Sequence, residues 1–129
     1  MSETYKIAVT GSREWKDVKE IKKRLLSASK DKNKKYILIS GGAKGADTIA
    51  ENIANKLKWD VIKHLPNWNK YGRAAGPVRN QLIIDEKPDI LLAFPMPESK
   101  GTYDAIKKAK KGLVKTIICD KYVKNKKKT

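Results

Sequence analysis

Three of the four arginines in the sequence, Arg13, Arg73 and Arg79, lie within three residues of a glycine. The arginine side chain ends in a planar guanidinium group that binds phosphate through two parallel hydrogen bonds, which lysine cannot reproduce. Lysine outnumbers arginine by 26 to four, so arginine at these turns predicts anion binding. Bracing of the loops by carboxylates or carbonyls is the alternative. We favour ligand contact for Arg13 and Arg79, and both interpretations stay open for Arg73.

A glycine-rich segment spans residues 40–47, with the sequence Ser-Gly-Gly-Ala-Lys-Gly-Ala-Asp. Its glycines, Gly41, Gly42 and Gly45, allow a tight turn that brings backbone N–H groups close to a ligand. At the start of a following helix, such groups favour a phosphate. A plain strand-to-helix turn needs the same glycines, and both interpretations stay open. Lys44 precedes the last glycine, which excludes a Walker A loop, and the spacing also differs from the dinucleotide fingerprint.

Polar side chains near these turns supply further candidates. Asp47 stands at the start of a predicted helix, where capping of backbone N–H groups is the simpler interpretation. Its functional alternatives are a hydrogen bond to ribose hydroxyls and general acid–base chemistry, which makes Asp47 the main candidate for a catalytic residue. Ser12, Asn80 and Thr102 offer hydroxyl or amide contacts to the same ligand.

Three aromatic residues, Trp15, Trp68 and Tyr71, lie in predicted loops and are candidates for stacking on a base. Aromatic side chains in loops more often pin the loop to the domain, and we favour that interpretation. His64 has no partner cysteine or acidic cluster at metal-ligand spacing. We therefore expect neither a metal site nor a cofactor.

Five short apolar runs, rich in β-branched residues, alternate with helical patterns. The predicted strands are Tyr5 to Thr10, Tyr36 to Ser40, Trp59 to Leu65, Ile90 to Phe94 and Lys115 to Cys119. The predicted buried helix faces are Val18, Ile21 and Leu25; Ala46, Ile49, Ala50, Ile53, Ala54 and Leu57; Val78, Leu82 and Ile83; and Tyr103, Ile106 and Ala109. Continuously apolar strands are typical of parallel sheets covered on both faces.

This alternation predicts an α/β fold with right-handed crossovers. We expect a single Rossmann-like, three-layer domain over residues 1–120, with a mainly parallel five-stranded sheet. A basic, mobile tail is expected over residues 121–129, where four of the last six residues are lysine.

The glycines and arginines lie in the loops that follow the predicted strands, whereas the opposite ends carry mostly lysine and polar linkers. In an open parallel sheet, ligands bind outside the carboxyl ends of the strands. We therefore predict one ligand site at that edge. Its residues are Gly11, Ser12, Arg13, Gly41, Gly42, Ala43, Lys44, Gly45, Asp47, Arg73, Arg79, Asn80, Gly101 and Thr102.

The composition limits the classes of protein to which this chain can belong. Its 129 residues, 40% of them hydrophobic, fit one core. The formal charge of +16 suggests weak association with nucleic acid, although solvated lysine faces are the simpler explanation. The single cysteine, Cys119, excludes an intrachain disulfide and lies in an apolar run, which predicts a small buried side chain. No apolar run approaches the roughly 18 residues of a membrane span and no signal-peptide pattern is present, so we expect a cytoplasmic protein without membrane contact.

Taken together and in this order, the motifs resemble the SLOG superfamily, which contains Smf/DprA, the LOG cytokinin-activating proteins and the YspA/YpsA-like proteins. The YspA/YpsA-like branch is the most similar. The resemblance rests on residues 7–13, 40–47, 72–80 and 101–102, and it covers residues 5 to 119. It implies a Rossmann-like fold that senses or processes nucleotide-derived ligands, and it implies self-association as a homo-oligomer.

LOG-type phosphoribohydrolases are similar at Gly101-Thr102 but carry a catalytic glutamate three residues after the threonine, where this chain has Ala105. Hydrolysis would then need Asp47, Glu98 or Asp104 instead. Our main expectation is a module that binds or sequesters a nucleotide or a nucleotide-derived small molecule such as ADP-ribose. One alternative is hydrolysis of the N-glycosidic bond of a nucleoside monophosphate or ADP-ribose derivative. The other is DprA-like binding of single-stranded nucleic acid.

Overall fold

A computed structural model describes residues 3–123 and shows five parallel β-strands in one sheet. The strands are β1 (Glu3–Gly11), β2 (Lys34–Ser40), β3 (Asp60–Lys63), β4 (Ile90–Phe94) and β5 (Lys115–Ile118), in the order β3-β2-β1-β4-β5. All four strand pairs are parallel. The predicted α/β class and five-stranded sheet are thus confirmed. The predicted tail falls largely on residues 124–129, which lie outside the described residues.

Helices cover both faces of the sheet. They are α1 (Val18–Ala28), α2 (Ala46–Lys56), the one-turn α3 (Trp68–Tyr71), α4 (Ala75–Asp85) and α5 (Lys100–Lys111), with a short 3₁₀ helix (Gly72–Ala74) before α4. One core cluster joins the sheet to α1 and α2, and a second joins it to α4 and α5. Alternate residues of β1 explain this arrangement, since Ile7 and Val9 pack on the first side and Ala8 on the second.

Four residues predicted on buried helix faces are exposed. Val18, Leu57, Leu82 and Tyr103 were expected to face the core, but they are 50%, 37%, 44% and 39% exposed. In α4 the buried positions after its first residue, Ala75, are Asn80, Ile83 and Ile84, which share one side of the helix at i, i+3 and i+4 and leave Leu82 on the opposite side. A polar residue therefore occupies a buried position that an apolar pattern cannot reveal.

The strand order of the sheet reverses at β1, so that later strands are added on its other side. From β1 the chain proceeds outward through β2 to β3, and it then returns to place β4 on the other side of β1. The loop after β1 leads to α1 on one face, whereas the loop after β4 leads to α5 on the other. The two loops separate directly beyond the hydrogen bond from the Ser12 amide to the Phe94 carbonyl oxygen, 3.0 Å. Such a switch point leaves a crevice at the carboxyl ends of the strands.

Trp15 anchors the loop that follows β1. It is fully buried, packs edge-on against Phe94 with ring centroids 5.3 Å apart, and donates its indole N–H to the Asp17 carbonyl at 3.0 Å. The ring of Tyr122 covers its other side at 4.9 Å. Lys121 Nζ and the Tyr122 hydroxyl both bind the Asp17 carboxylate, so the first residues of the predicted tail segment lie against this loop.

Gly45 fixes the distance between α2 and the loop after β1. It has φ of +76°, and an added Cβ would overlap the carbonyl oxygens of Ser12 and Arg13. The Ser12 carbonyl also accepts the Ala46 amide at 3.1 Å, so neither backbone can move away without loss of this bond. Gly45 is required both for its conformation and for this close approach.

We predict that Gly45→Ala lowers the free energy of unfolding by roughly 3 kcal/mol, since left-handed strain and overpacking add. Gly72→Ala is the matched control because Gly72 has φ of +54° with open space around its Cβ position. Gly72→Ala should lower the free energy of unfolding only through backbone strain, by about 1 kcal/mol. Urea denaturation of the two variants measures the difference, and equal losses would contradict the close approach.

Candidate functional site

The crevice at the switch point is a cavity of about 680 Å³, called here the main cavity. A side cavity of about 470 Å³ adjoins it and shares part of its wall, including Arg13, Gly41 and Arg79. Of the predicted site residues, those that line the main cavity are Gly11, Ser12, Arg13, Gly41, Ala43, Asp47, Arg79, Asn80, Gly101 and Thr102. Gly42 and Lys44 line the side cavity. Loops distant in sequence therefore meet at one place.

Arg13 and Arg79 lie at the wall shared by the two cavities. Burial lowers the pKa of Arg79; the charge of Asp47 opposes this, and the charge of Arg13 lowers it further. Both arginines line both cavities, so they share one wall. Within residues 3–123 neither lies within 4 Å of a carboxylate oxygen, whereas Arg24 pairs with Glu20 at 2.9 Å. Two arginines on one wall, with only the buried Asp47 carboxyl group near Arg79, form a site suited to an anion.

Gly41 provides the space in which the Arg79 side chain lies. The Nη1 atom of Arg79 donates to the Gly41 carbonyl oxygen at 2.7 Å, and its Nε donates to Asn80 Oδ1 at 3.0 Å. A Cβ on Gly41 would overlap the guanidinium group and approach the Asp47 carboxylate to 3.1 Å. The absence of a side chain at residue 41 therefore determines where the Arg79 charge stands.

Asp47 lies in the wall of the main cavity and is 4% exposed. Its Oδ2 accepts the Ala43 amide at 3.2 Å, while its buried Oδ1 has no hydrogen-bond partner. It does not cap α2, whose N-cap is Gly45 without a side-chain bond, so the capping interpretation was wrong. Burial raises the pKa of Asp47 to about 7; the Ala43 amide and Arg79 oppose the rise, and the nearby Glu51 adds to it. Asp47 thus offers the cavity a group that titrates near neutral pH.

Three amides of the glycine segment are engaged within the protein. The Gly42 amide donates to Ser40 Oγ at 3.0 Å, the Ala43 amide to Asp47, and the Ala46 amide to the Ser12 carbonyl. These three are therefore not free for the phosphate that the segment was expected to bind. Two of its glycines have structural roles as well, since Gly41 leaves space for Arg79 and Gly45 packs α2 against the loop after β1.

The start of α5 lies open to the main cavity. Thr102 and Tyr103 donate their amides to the Ser99 carbonyl, and an added Cβ on Gly101 would meet no atom within 4 Å. The Asn80 side-chain amide holds this turn by donating to the Gly101 carbonyl at 3.1 Å and to the Asp104 carboxylate at 2.9 Å. The positive end of a twelve-residue helix therefore faces the cavity, and Asn80 connects it to Arg79.

Two of the predicted site residues, Gly45 and Arg73, line neither cavity. Arg73 is exposed in the 3₁₀ helix and lines neither cavity. Trp15 is buried in the core, which confirms its predicted anchoring role. Of the other two aromatic candidates, Tyr71 lines neither cavity, whereas Trp68 is 52% exposed and lines both.

Several residues of the site were not predicted. Glu14 lines both cavities, and Met96, Ser99 and Lys100 line the main one. The loop after β4 was expected at the carboxyl edge, but no spacing rule singles out these residues within it. Behind the cavity, the buried Glu51 accepts a hydrogen bond from Ser40 Oγ at 2.5 Å and lies 3.5 Å from Lys63 Nζ; its position four residues after Asp47 was the available signal.

Outside the cavities, His64 Nε2 lies 2.6 Å from Glu86 Oε2. Between residues 3 and 123, no three His, Cys, Asp or Glu side chains cluster as metal ligands would. Cys119 is buried as predicted, with its Sγ 3.1 Å from Glu20 Oε2. None of the helices between Glu3 and Val123 has the length and apolar character needed to cross a bilayer.

Comparison with known families identifies the chain. The family model YAcAr, described as the YspA, cpYpsA-related SLOG family, matches residues 5–71. The chain belongs to this SLOG family. A curated relative, the Gene 61 protein of Mycobacterium phage D29, is 30% identical over 117 residues, which covers 87% of this chain and 94% of the phage protein. The predicted family is thereby confirmed.

Solved structures with the same fold include three proteins of low sequence identity. DNA processing protein A (DprA) from Streptococcus pneumoniae has a TM-score of 0.70 at 18% identity, covering 89% of this chain, which spans 50% of the DprA chain. The protein TM1055 has a TM-score of 0.65 at 16% identity, covering 92% of this chain and 76% of its own. The Moco carrier protein from Chlamydomonas reinhardtii has a TM-score of 0.63 at 18% identity, covering 90% and 76%. These similarities confirm the Rossmann-like fold.

We predict that Asp47→Asn changes how stability depends on pH. In the folded protein Asp47 keeps its proton up to about pH 7, whereas the unfolded chain releases it near the ordinary pKa of 3.8. The folded wild type therefore loses stability as pH rises between these values, at up to about 1.4 kcal/mol per pH unit. Asparagine does not ionise, so the stability of the variant should not fall with pH for this reason.

Urea denaturation of both proteins at about pH 5 and about pH 8 tests this expectation. The variant should gain on the wild type by about 2 kcal/mol between the two conditions. Parallel stability profiles would show that Asp47 is ionised throughout this range.

Proposed function

We propose that the main cavity binds a nucleotide or nucleotide-derived small molecule, with its phosphate against Arg13 and Arg79 and its ribose against Asp47. Membership of the SLOG family supports a nucleotide-related role in binding or processing. A volume of about 680 Å³ falls within the range of small-molecule sites, about 300–1,000 Å³. The observation that carries the proposal is that Arg13 and Arg79 line the same wall of the cavity and that neither forms an ion pair within residues 3–123.

The phosphate position follows from where positively charged groups line the main cavity. Arg13 is exposed at the cavity wall and is free to turn its planar group toward a phosphate, while Arg79 is held half-buried by Gly41. The start of α5 adds the positive end of its dipole and an open approach at Gly101. We assign the phosphate to the space among these three elements rather than to the engaged amides of the glycine segment.

The ribose position follows from the one buried side-chain oxygen or nitrogen that lacks a hydrogen-bond partner within residues 3–123. Asp47 Oδ1 is a hydrogen-bond acceptor, and a ribose hydroxyl would satisfy it. An unsatisfied buried acceptor costs about 1–3 kcal/mol, which a ligand hydroxyl would recover. Asn80 was expected to contact the ligand through its side-chain amide, but both its amide nitrogen and its oxygen are already hydrogen-bonded, so we assign it a positioning role.

Hydrolysis of an N-glycosidic bond is the second candidate function, and the pKa of Asp47 favours it. A carboxyl group that titrates at about 7 suits general acid–base catalysis at neutral pH. Ala105, at the position of the LOG-type glutamate, is buried and supplies no acid. Chromatography of AMP and ADP-ribose incubated with wild type and Asp47→Asn decides between binding and turnover, since identical turnover would remove Asp47 from the mechanism.

The wider expectations stay predictions. A weak association with single-stranded nucleic acid rests on the formal charge of +16, and the likeness to DprA adds only the fold. An electrostatic association of this kind weakens steeply with salt. The homo-oligomer and the cytoplasmic location have no contact or segment within residues 3–123 that bears on them.

We predict that Arg13→Ala weakens binding of AMP or ADP-ribose roughly tenfold to a hundredfold, because a charged hydrogen bond contributes about 1.5–3 kcal/mol. Arg13→Lys should restore only part of this loss, since lysine lacks the planar fork. Isothermal titration calorimetry measures both. Lys107→Ala, an exposed residue of α5 outside both cavities, is the control and should bind as the wild type does.

A second variant tests the position of the Arg79 side chain without removing its charge. In Gly41→Ala the new methyl group displaces the guanidinium, and we expect binding to weaken by about tenfold. The stability loss should stay below about 1 kcal/mol because the displaced group is the end of a flexible side chain. Absence of saturable binding of both ligands to the wild type would refute the proposed function, and unchanged affinity in both arginine-site variants would refute its assigned phosphate position.

A further inference from the structure

Trp68 differs from the other tryptophans in its surroundings. Trp15 packs between Phe94 and Tyr122, and Trp59 lies against Tyr36 with ring centroids 5.4 Å apart. Within residues 3–123, Trp68 forms no aromatic pair and has no cation over its ring, although it is the largest side chain in either cavity wall. Its half-exposed indole is therefore an unused aromatic surface beside the site.

The position of Trp68 relates that surface to the proposed phosphate position. It lines both cavities together with Arg13 and Arg79, so the three residues share one wall. Its backbone is held from both sides. The Asn67 side chain caps α3 by accepting the Lys70 amide at 3.0 Å, and the Trp68 carbonyl accepts the Gly72 amide.

The neighbouring aromatic residue does not compete for this role. Tyr71 follows one turn later in α3 but lines neither cavity, and Lys70 Nζ covers its ring at 5.1 Å. Among the described lining residues of both cavities, Trp68 is the only aromatic one. A planar group bound here has one ring to stack on.

We propose that Trp68 stacks on the nucleobase of the ligand, so that the site selects nucleotides over sugar phosphates that lack a base. This inference rests on the proposed function, because it takes the phosphate to lie at Arg13 and Arg79. Any aromatic base stacks on an indole face, and alanine substitution at such contacts typically weakens binding roughly fivefold to a hundredfold. Trp68 would thus determine ligand class, while the arginines provide the anion contact.

The test compares AMP with ribose 5-phosphate, which shares its phosphate and ribose but has no base. Isothermal titration with wild type, Trp68→Ala, Trp68→Phe and the control Tyr71→Ala gives the contribution of each. We expect the wild type to bind AMP at least tenfold more tightly than ribose 5-phosphate. Trp68→Ala should remove most of that preference with ribose 5-phosphate unaffected, Trp68→Phe should retain part of it, and Tyr71→Ala should behave as the wild type.

Two outcomes would overturn the inference while leaving the proposed function intact. One is equal affinity of the wild type for the two ligands. The other is an equal loss of affinity for both ligands in Trp68→Ala, which would show that Trp68 lines the cavity without stacking on a base. Failure of AMP, ADP-ribose and ribose 5-phosphate alike to bind the wild type would instead overturn the proposed function, and the inference with it. Quenching of tryptophan fluorescence by AMP gives an independent readout, since it should disappear in Trp68→Phe.

Discussion

The placement of the Arg79 side chain in the cavity wall is the constraint on which the site depends. A guanidinium group is half-buried there only because its donors have partners, and the Gly41 carbonyl and the Asn80 side chain hold Arg79 in place. The close packing of Gly45 against the loop after β1 holds that loop, and Arg13 with it, next to α2. The fold thus keeps positive charge concentrated at the switch point of the sheet, where two loops separate and water or a ligand can enter.

The fold could be predicted almost completely from the sequence, because its strands are marked by local composition. Runs such as Ile90–Phe94 are too short and too apolar for an exposed helix, and the structure makes every residue of this run buried. The predicted edge strand β3 ran from Trp59 to Leu65, beyond the paired residues Asp60–Lys63. The sequence could not show this, because residues just outside a paired segment resemble in composition those within it. The buried face of α4 was misplaced because Asn80 is buried through hydrogen bonds rather than through apolar character.

The location of the site could be predicted from the sequence, but the contacts among its residues could not. Glycines and arginines after parallel strands indicate the carboxyl edge, and most of the residues chosen on that basis do line the main cavity. Which groups stay free for a ligand depends on partners distant in sequence. The Ala46 amide is taken by Ser12, thirty-four residues earlier, and Arg79 is bound to Gly41, thirty-eight residues earlier, and no local pattern records these pairings. Arg73 shows the reverse case, in which a favourable local pattern leads to a residue outside both cavities.

The buried, half-satisfied carboxyl group of Asp47 has a consequence for the thermodynamics of complex formation. A ligand hydroxyl that donates to Oδ1 favours the carboxylate over the carboxylic acid. Near neutrality, an appreciable share of the unliganded molecules carries a proton there, and these molecules would release it to the solvent as the complex forms. Association would then strengthen with rising pH, and the heat measured would include the ionisation enthalpy of whichever buffer accepts the proton.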